Sequence, residues 1–135
     1  QGWIMALLTD LKTLLEDEGI TTTIPRGRLP DDPDDVIAIQ TFAGTPSRLH
    51  GVDYIPADER LDVQVTIRAL YQGQAETIAR AVFDAIQFRN RTLDSGRRYH
   101  YVRAPQYPAY IGVDDRDRHI VGFTAEVRRW RDADV

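Results

Sequence analysis

The chain has 135 residues, 42% hydrophobic and 28% charged, which is the profile of one ordinary folded domain able to bury a core without disulfides or metal. It contains no cysteine, which excludes disulfide frameworks, thiolate zinc sites, iron–sulfur clusters and cysteine nucleophiles. No apolar run approaches the ~20 residues of a membrane-spanning helix, and a net charge of −4 argues against a dedicated nucleic-acid binder, which needs a basic face.

Gln1 to Ile4 precede the only methionine, Met5, and read as flexible or vector-derived sequence; no secretory signal is visible. Trp3 to Glu18 reads as a helix, because Ile4, Leu7, Leu8, Leu11, Leu14 and Leu15 recur at three- and four-residue spacing. Gly19 should end it by supplying a left-handed C′ residue. The polar face carries Asp10, Lys12, Glu16, Asp17 and Glu18, so the apolar stripe is expected to face a core rather than anionic lipid. Ile20 to Ile24, rich in Thr and closed by Pro25, suits an edge strand or an extended lead-in. Arg26 to Asp35 is a rigid polar loop. Its four Asp do not make a calcium loop, since Pro33 breaks the ligand spacing and the glycine and terminal Glu are missing.

Val36 to Phe42 is apolar on both faces, as in a strand covered on two sides. Ala43 to Glu59 has no sustained period but holds Leu49, Val52, Tyr54 and Ile55; it reads as an arm or long hairpin packing on something, such as a neighbouring subunit. Leu61, Val63, Val65, Ile67 and Ala69 alternate with polar residues, a half-buried strand. Gln74 to Phe88 is a second helix with Ala75, Ile78, Ala79, Val82, Ala85 and Ile86 on one stripe. Arg89 to Arg98 is expected to be a loop. Tyr99 to Ala104, Tyr107 to Val113 and His119 to Trp130 are strands, the last two separated by the polar turn Asp114 to Arg118. The predicted order is α-β-β-β-α-β-β-β. Strands in runs predict an α+β fold, a mainly antiparallel sheet with two helices packed on one face, forming a single domain over residues 1–135.

No phosphate-cradling glycine loop, dinucleotide fingerprint or nucleophile elbow occurs. His50, His100 and His119 lack metal-ligand spacing, and the pairs Asp31/Asp32, Asp34/Asp35 and Asp114/Asp115 lie in turns where Asp is common for backbone reasons. No catalytic, cofactor-binding or metal-ligating residue is therefore assigned. The run Arg89, Arg91, Arg97, Arg98 beside Tyr99 and Tyr101 has the mixture used by single-strand binding surfaces, but within an acidic chain. Tyr99, Tyr101, Tyr107, Tyr110 and Trp130 crowd the C-terminal strands, either as interface aromatics or as core.

The charge is unevenly divided: residues 1–70 carry 12 acidic and 6 basic side chains, whereas residues 71–135 carry 9 and 11. The subunit is expected to be dipolar. All basic residues but Lys12 are arginine, which fits an interface preference but is better explained by a GC-rich genome.

In layout the sequence resembles the phage minor-capsid and tail-completion family that includes tail-terminator proteins of long-tailed phages. The resemblance is carried by the Leu-rich helix ending in Glu18-Gly19, the loop Leu29 to Asp34 and the strand Val36 to Phe42. It continues through Leu61 to Leu70, Ala75 to Ala79, Pro105 to Asp114 and Arg118 to Trp130. It implies a non-enzymatic virion protein whose copies, typically six, form a ring at the head-proximal end of the tail tube. Such a ring ends tube polymerisation and joins tail to head. The implied partners are other copies, the tail tube protein, a head-completion or stopper protein and genome DNA passing without sequence-specific contact. No membrane is involved, and the location is the head–tail junction of a virion assembled in the host cytoplasm. Leu49, Val52, Tyr54, Ile55, Tyr107, Tyr110 and Trp130 are then candidate inter-subunit contacts, and Arg89, Arg91, Arg97 and Arg98 a candidate lumen or DNA-proximal loop. A neighbouring head–tail connector or stopper is the close alternative. A small α+β enzyme or ligand-binding domain with a tyrosine-lined pocket, and a nucleic-acid accessory protein using the arginine loop, are the readings from other classes.

Overall fold

The computed structural model describes residues 2–25, 29–41 and 58–130. Helix α1 spans Gly2–Asp17, and its apolar stripe buries Leu7, Leu11, Leu14 and Leu15 as the spacing predicts. It ends in a Schellman motif. Gly19, at φ +93°, donates its N–H to the Glu16 carbonyl (3.1 Å) and Ile20 donates to Leu15 (3.0 Å), so two orphan carbonyls are satisfied. The segment 20–24 supplies a single parallel bridge, Thr23 to Val36, and places Ile24 in the core.

Strands β1 (Val36–Thr41) and β2 (Asp58–Ala69) pair antiparallel, with Ile37 opposite Ile67 and Ile39 opposite Val65. Val36 to Ile39 are all buried, as expected for a strand covered on both faces. Helix α2 (Gln72–Ile86) follows, with Ala75, Ala79, Val82 and Ile86 turned inward. Next come β3 (Phe88–Thr92), β4 (Arg98–Arg103), β5 (Ala109–Val113) and β6 (His119–Trp130). The stretch 89–98 is therefore not simply a loop. Its first part pairs with β4, and only residues 93–97 turn. The reading as a loop failed because Asn90 and the arginines lack apolar alternation, while β3 is an exposed edge strand whose backbone pairing needs none.

The sheet order is β1-β2-β6-β4-β3, with β5 also on β6. β2 occupies one edge of β6 along its whole length, from Ala69 opposite His119 to Asp58 opposite Trp130. β4 and β5 must share the other edge. β5 takes the start of β6, residues 119–122, and β4 takes the end, residues 126–129. The inward residues of β2 and β6 form one hydrophobic cluster with α1 and α2, including Leu11, Leu15, Val63, Val65, Ile67, Val82, Phe123 and Val127. The α+β class, with two helices and an antiparallel sheet, is as the sequence implies; the strand order is corrected to two before α2 and four after it, because residues 20–24 make only a bridge and Phe88–Thr92 is a strand.

Candidate inter-subunit surfaces

At one end of the long β2–β6 ribbon, two buried arginines hold a loop. Arg68, on β2, donates through Nε to the Asp34 carbonyl (3.2 Å) and through Nη2 to the Pro33 carbonyl (2.6 Å). Arg118, just before β6, donates through Nε to Asp114 Oδ2 (2.9 Å) and through Nη1 to the Asp31 carbonyl. Burial, then the neighbouring Arg118 charge, lowers the Arg68 pKa from its ordinary value. The Asp114 carboxyl is opposed by burial, yet it stays below its usual range because the backbone N–H groups of Arg118 and Arg116 and the Arg118 guanidinium all donate to it. Gln74 adds a bond from α2 to Asp35 Oδ2. The loop after Pro30 and the turn before β6 thus come together at one end of the sheet, although the Arg118 to Asp31 bond joins residues 87 apart in sequence.

β5 lies at this same end. Tyr110, Ile111 and Val113 are exposed large side chains, and Tyr107 just ahead of the strand is 73% exposed. Tyr107 packs against Phe83 with centroids 5.4 Å apart and the rings tilted by 36°, and the Arg80 guanidinium lies 5.7 Å from its ring centroid. The Tyr110 hydroxyl and His119 Nδ1 share a hydrogen bond of 2.9 Å. A register shift at Gly112, φ +148°, bends the strand.

At the opposite end of β6 stands the β3–β4 hairpin. Arg89 and Arg91 on β3 and Arg98 at the start of β4 are exposed, and Arg97 in the turn is half-buried. The Arg91 guanidinium lies 5.9 Å from the Phe88 ring centroid. The tip is fixed to α1 by Asp10, which accepts from the Ser95 backbone N–H (3.0 Å), the Ser95 hydroxyl (2.6 Å) and the Tyr99 hydroxyl (3.1 Å). Burial, then Asp10, raises the Tyr99 pKa. On the sheet face away from the helices, Glu126 accepts from Tyr101 (2.8 Å) and meets Arg103 (3.2 Å), Arg60 (3.4 Å) and Arg128 (3.9 Å). Burial opposes its charge, but those donors hold its carboxyl below the usual range.

The tyrosine group is thereby divided. Tyr99 is fully buried, Tyr101 is half-buried, and Tyr107 and Tyr110 are exposed, so the tyrosines do not line a common pocket. An apolar groove of about 300 Å³ lies elsewhere, between α1 and β1, lined by Met5, Leu8, Ile24 and Ile39 with Lys12 its one ionisable residue. Leu49, Val52, Tyr54 and Ile55, and the side chain of Trp130, lie outside the described residues. Ile111, Val113, Asp115 and Asp117 belong to the β5 end but were not expected as contacts; the apolar pair was visible in sequence, whereas its place on a sheet edge was not.

The tail-terminator family model, described as bacteriophage tail terminator protein, matches residues 14–129. The chain belongs to the bacteriophage tail terminator family. It is a phage tail structural protein, in a family of virion components rather than enzymes. Among solved structures, a chain of a native gene transfer agent virion is 15% identical, with a TM-score of 0.68, and the match covers 93% of this chain and 95% of that one. A second solved chain is 16% identical, with a TM-score of 0.56 and coverage of 95% and 92%. Both share the fold. No curated protein matches the chain by sequence.

Proposed function

We propose that this protein forms a closed ring at the head-proximal end of the tail tube, stops tube polymerisation there and provides the surface on which the head docks. The observation that carries the reading is the tail-terminator match over residues 14–129. The geometry supports it through two exposed surfaces of different chemistry at opposite ends of β6, the arrangement needed for heterologous contacts that close into a ring. In this reading the partners are further copies of the chain, the tail tube protein and a head-completion protein, with DNA passing through the lumen.

Deleting the gene in the particle that encodes it should give tails of uncontrolled length that do not join heads, seen by negative-stain electron microscopy. Tails of normal length that merely fail to attach would instead assign the protein to a neighbouring connector or stopper layer. Normal, head-bearing particles would end both readings.

A further inference from the structure

We propose that the outer edge of β5 docks on the outer edge of β3 in a second copy of this chain, forming a head-to-tail joint that extends the sheet from one subunit into the next. The proposal rests on the ring reading above and names the contact that builds it.

Two observations carry it. Among the described residues, β5 pairs only with β6 and β3 only with β4, so each leaves one edge of backbone donors and acceptors open. Both strands are five residues long. The β5 edge also exposes Tyr110, Ile111 and Val113, side chains a lone domain gains nothing by leaving in water. The open edge of β1 differs: Thr23 meets its first residue, and Val36 to Ile39 are buried.

Charge identifies the occupant. The loop of residues 31–35, Arg68 and the turn of residues 114–118 gather seven carboxylates against three guanidiniums at the β5 end. Residues 88–103 of the hairpin carry five guanidiniums against one carboxylate. The two ends are separated along β6 by the ten-residue step from His119 to Arg129, about 33 Å at ~3.3 Å per residue. A chain cannot bring its own ends together over that distance. A second copy offers the matching charge, and acidic end to acidic end is repulsive, which excludes a two-fold contact through β5. The side chains also suit each other. Arg89 and Arg91 on the β3 edge can lie over Tyr107 and Tyr110, the type of contact Arg80 already makes with Tyr107 and Arg103 with Tyr101 inside the subunit. The bulge at Gly112 and the short strands limit indiscriminate edge pairing, leaving charge to select the partner.

The test uses two charge-reversed proteins, Arg89→Glu/Arg98→Glu and Asp32→Arg/Asp115→Arg, all at exposed positions. Sedimentation velocity over a concentration series should show each alone associating at least about tenfold more weakly than wild type. Mixing them should give a one-to-one complex, joined through the unaltered β5 edge of the first protein and the unaltered β3 edge of the second. Wild-type association should weaken as salt rises from about 50 to about 500 mM, a readout independent of any variant's folding. Variants that associate like wild type, no complex on mixing folded variants, salt-insensitive association, or a wild-type chain monomeric up to its solubility limit would each overturn this joint. The tail-length experiment decides the ring reading separately.

Discussion

Asp10 shows how one residue on a helix can hold a distant hairpin. It is 2% exposed and accepts three hydrogen bonds, two from Ser95 and one from Tyr99. A hydrogen bond to a charged acceptor contributes about 1.5–3 kcal/mol, so Tyr99→Phe should lower unfolding free energy in urea by that amount. Asp10→Ala should cost more, because it strands three donors at once. Glu126 makes a pH-dependent contribution. Its carboxyl sits below the ordinary range in the folded state, so its stabilisation is complete above the ordinary Glu value and is lost as pH falls through the folded-state value. Melting temperatures taken by calorimetry from neutral to acid pH should therefore fall less steeply for Glu126→Gln than for wild type. Parallel curves would mean that the arginines around Glu126 contribute nothing. Asp114, also held low, contributes to the acid sensitivity left in that variant.

Elements in this protein follow their local sequence where burial is one-sided and depart from it at the sheet edges. α1, α2, β2 and β6 carry regular apolar spacing, and each forms within a few residues of where that spacing places it. β3 has no such pattern; cross-strand backbone bonds to β4 create it, which is why Arg89 to Thr92 read as loop. Two glycines are needed for different reasons. Gly19 occupies a left-handed position, so Gly19→Ala should cost about 1 kcal/mol by chemical denaturation. On β6, a Cβ at Gly122 would stand 3.0 Å from Gln64 Nε2 and from Ile111 Cδ1, and 3.2 Å from the Val65 carbonyl. Gly122→Ala should cost about 1–3 kcal/mol and loosen β5, read as faster amide exchange at residues 109–113 than elsewhere in the sheet. Unchanged protection there would show that Ile111 does not need the gap.

At the scale of the whole molecule, the helices and the central strands share one cluster of buried side chains, so they should unfold together. Far-ultraviolet circular dichroism and the near-ultraviolet signal should follow one urea transition, and Leu11→Ala should shift it by about 2–5 kcal/mol without splitting it. Separate transitions would mean that α1 is not integral to the core. The charge dipole also belongs to this scale. Comparing the two halves of the sequence detects an imbalance but misplaces it. The acidic end is built from residues 31–35 of the first half and 114–118 of the second, joined by Arg68 and Arg118, and the basic end from the β3–β4 hairpin. Of the expected contacts, Tyr107 and Tyr110 face outward beside the acidic end, and Arg89, Arg91 and Arg98 face outward at the basic one.

The sequence by itself determined the two helices, the long alternating strands and the α+β class, because period and turn chemistry act over a few residues and survive in linear order. Its whole-chain layout also carried the likeness to the tail-terminator family. Only the tertiary structure decided which strands are edges, which tyrosines are core, and where the charges gather. Those properties depend on β2 and β6 pairing along their full length, which sends β5 and the β3–β4 hairpin to opposite ends of one strand and brings two acidic turns, far apart in the chain, onto the same pair of buried arginines.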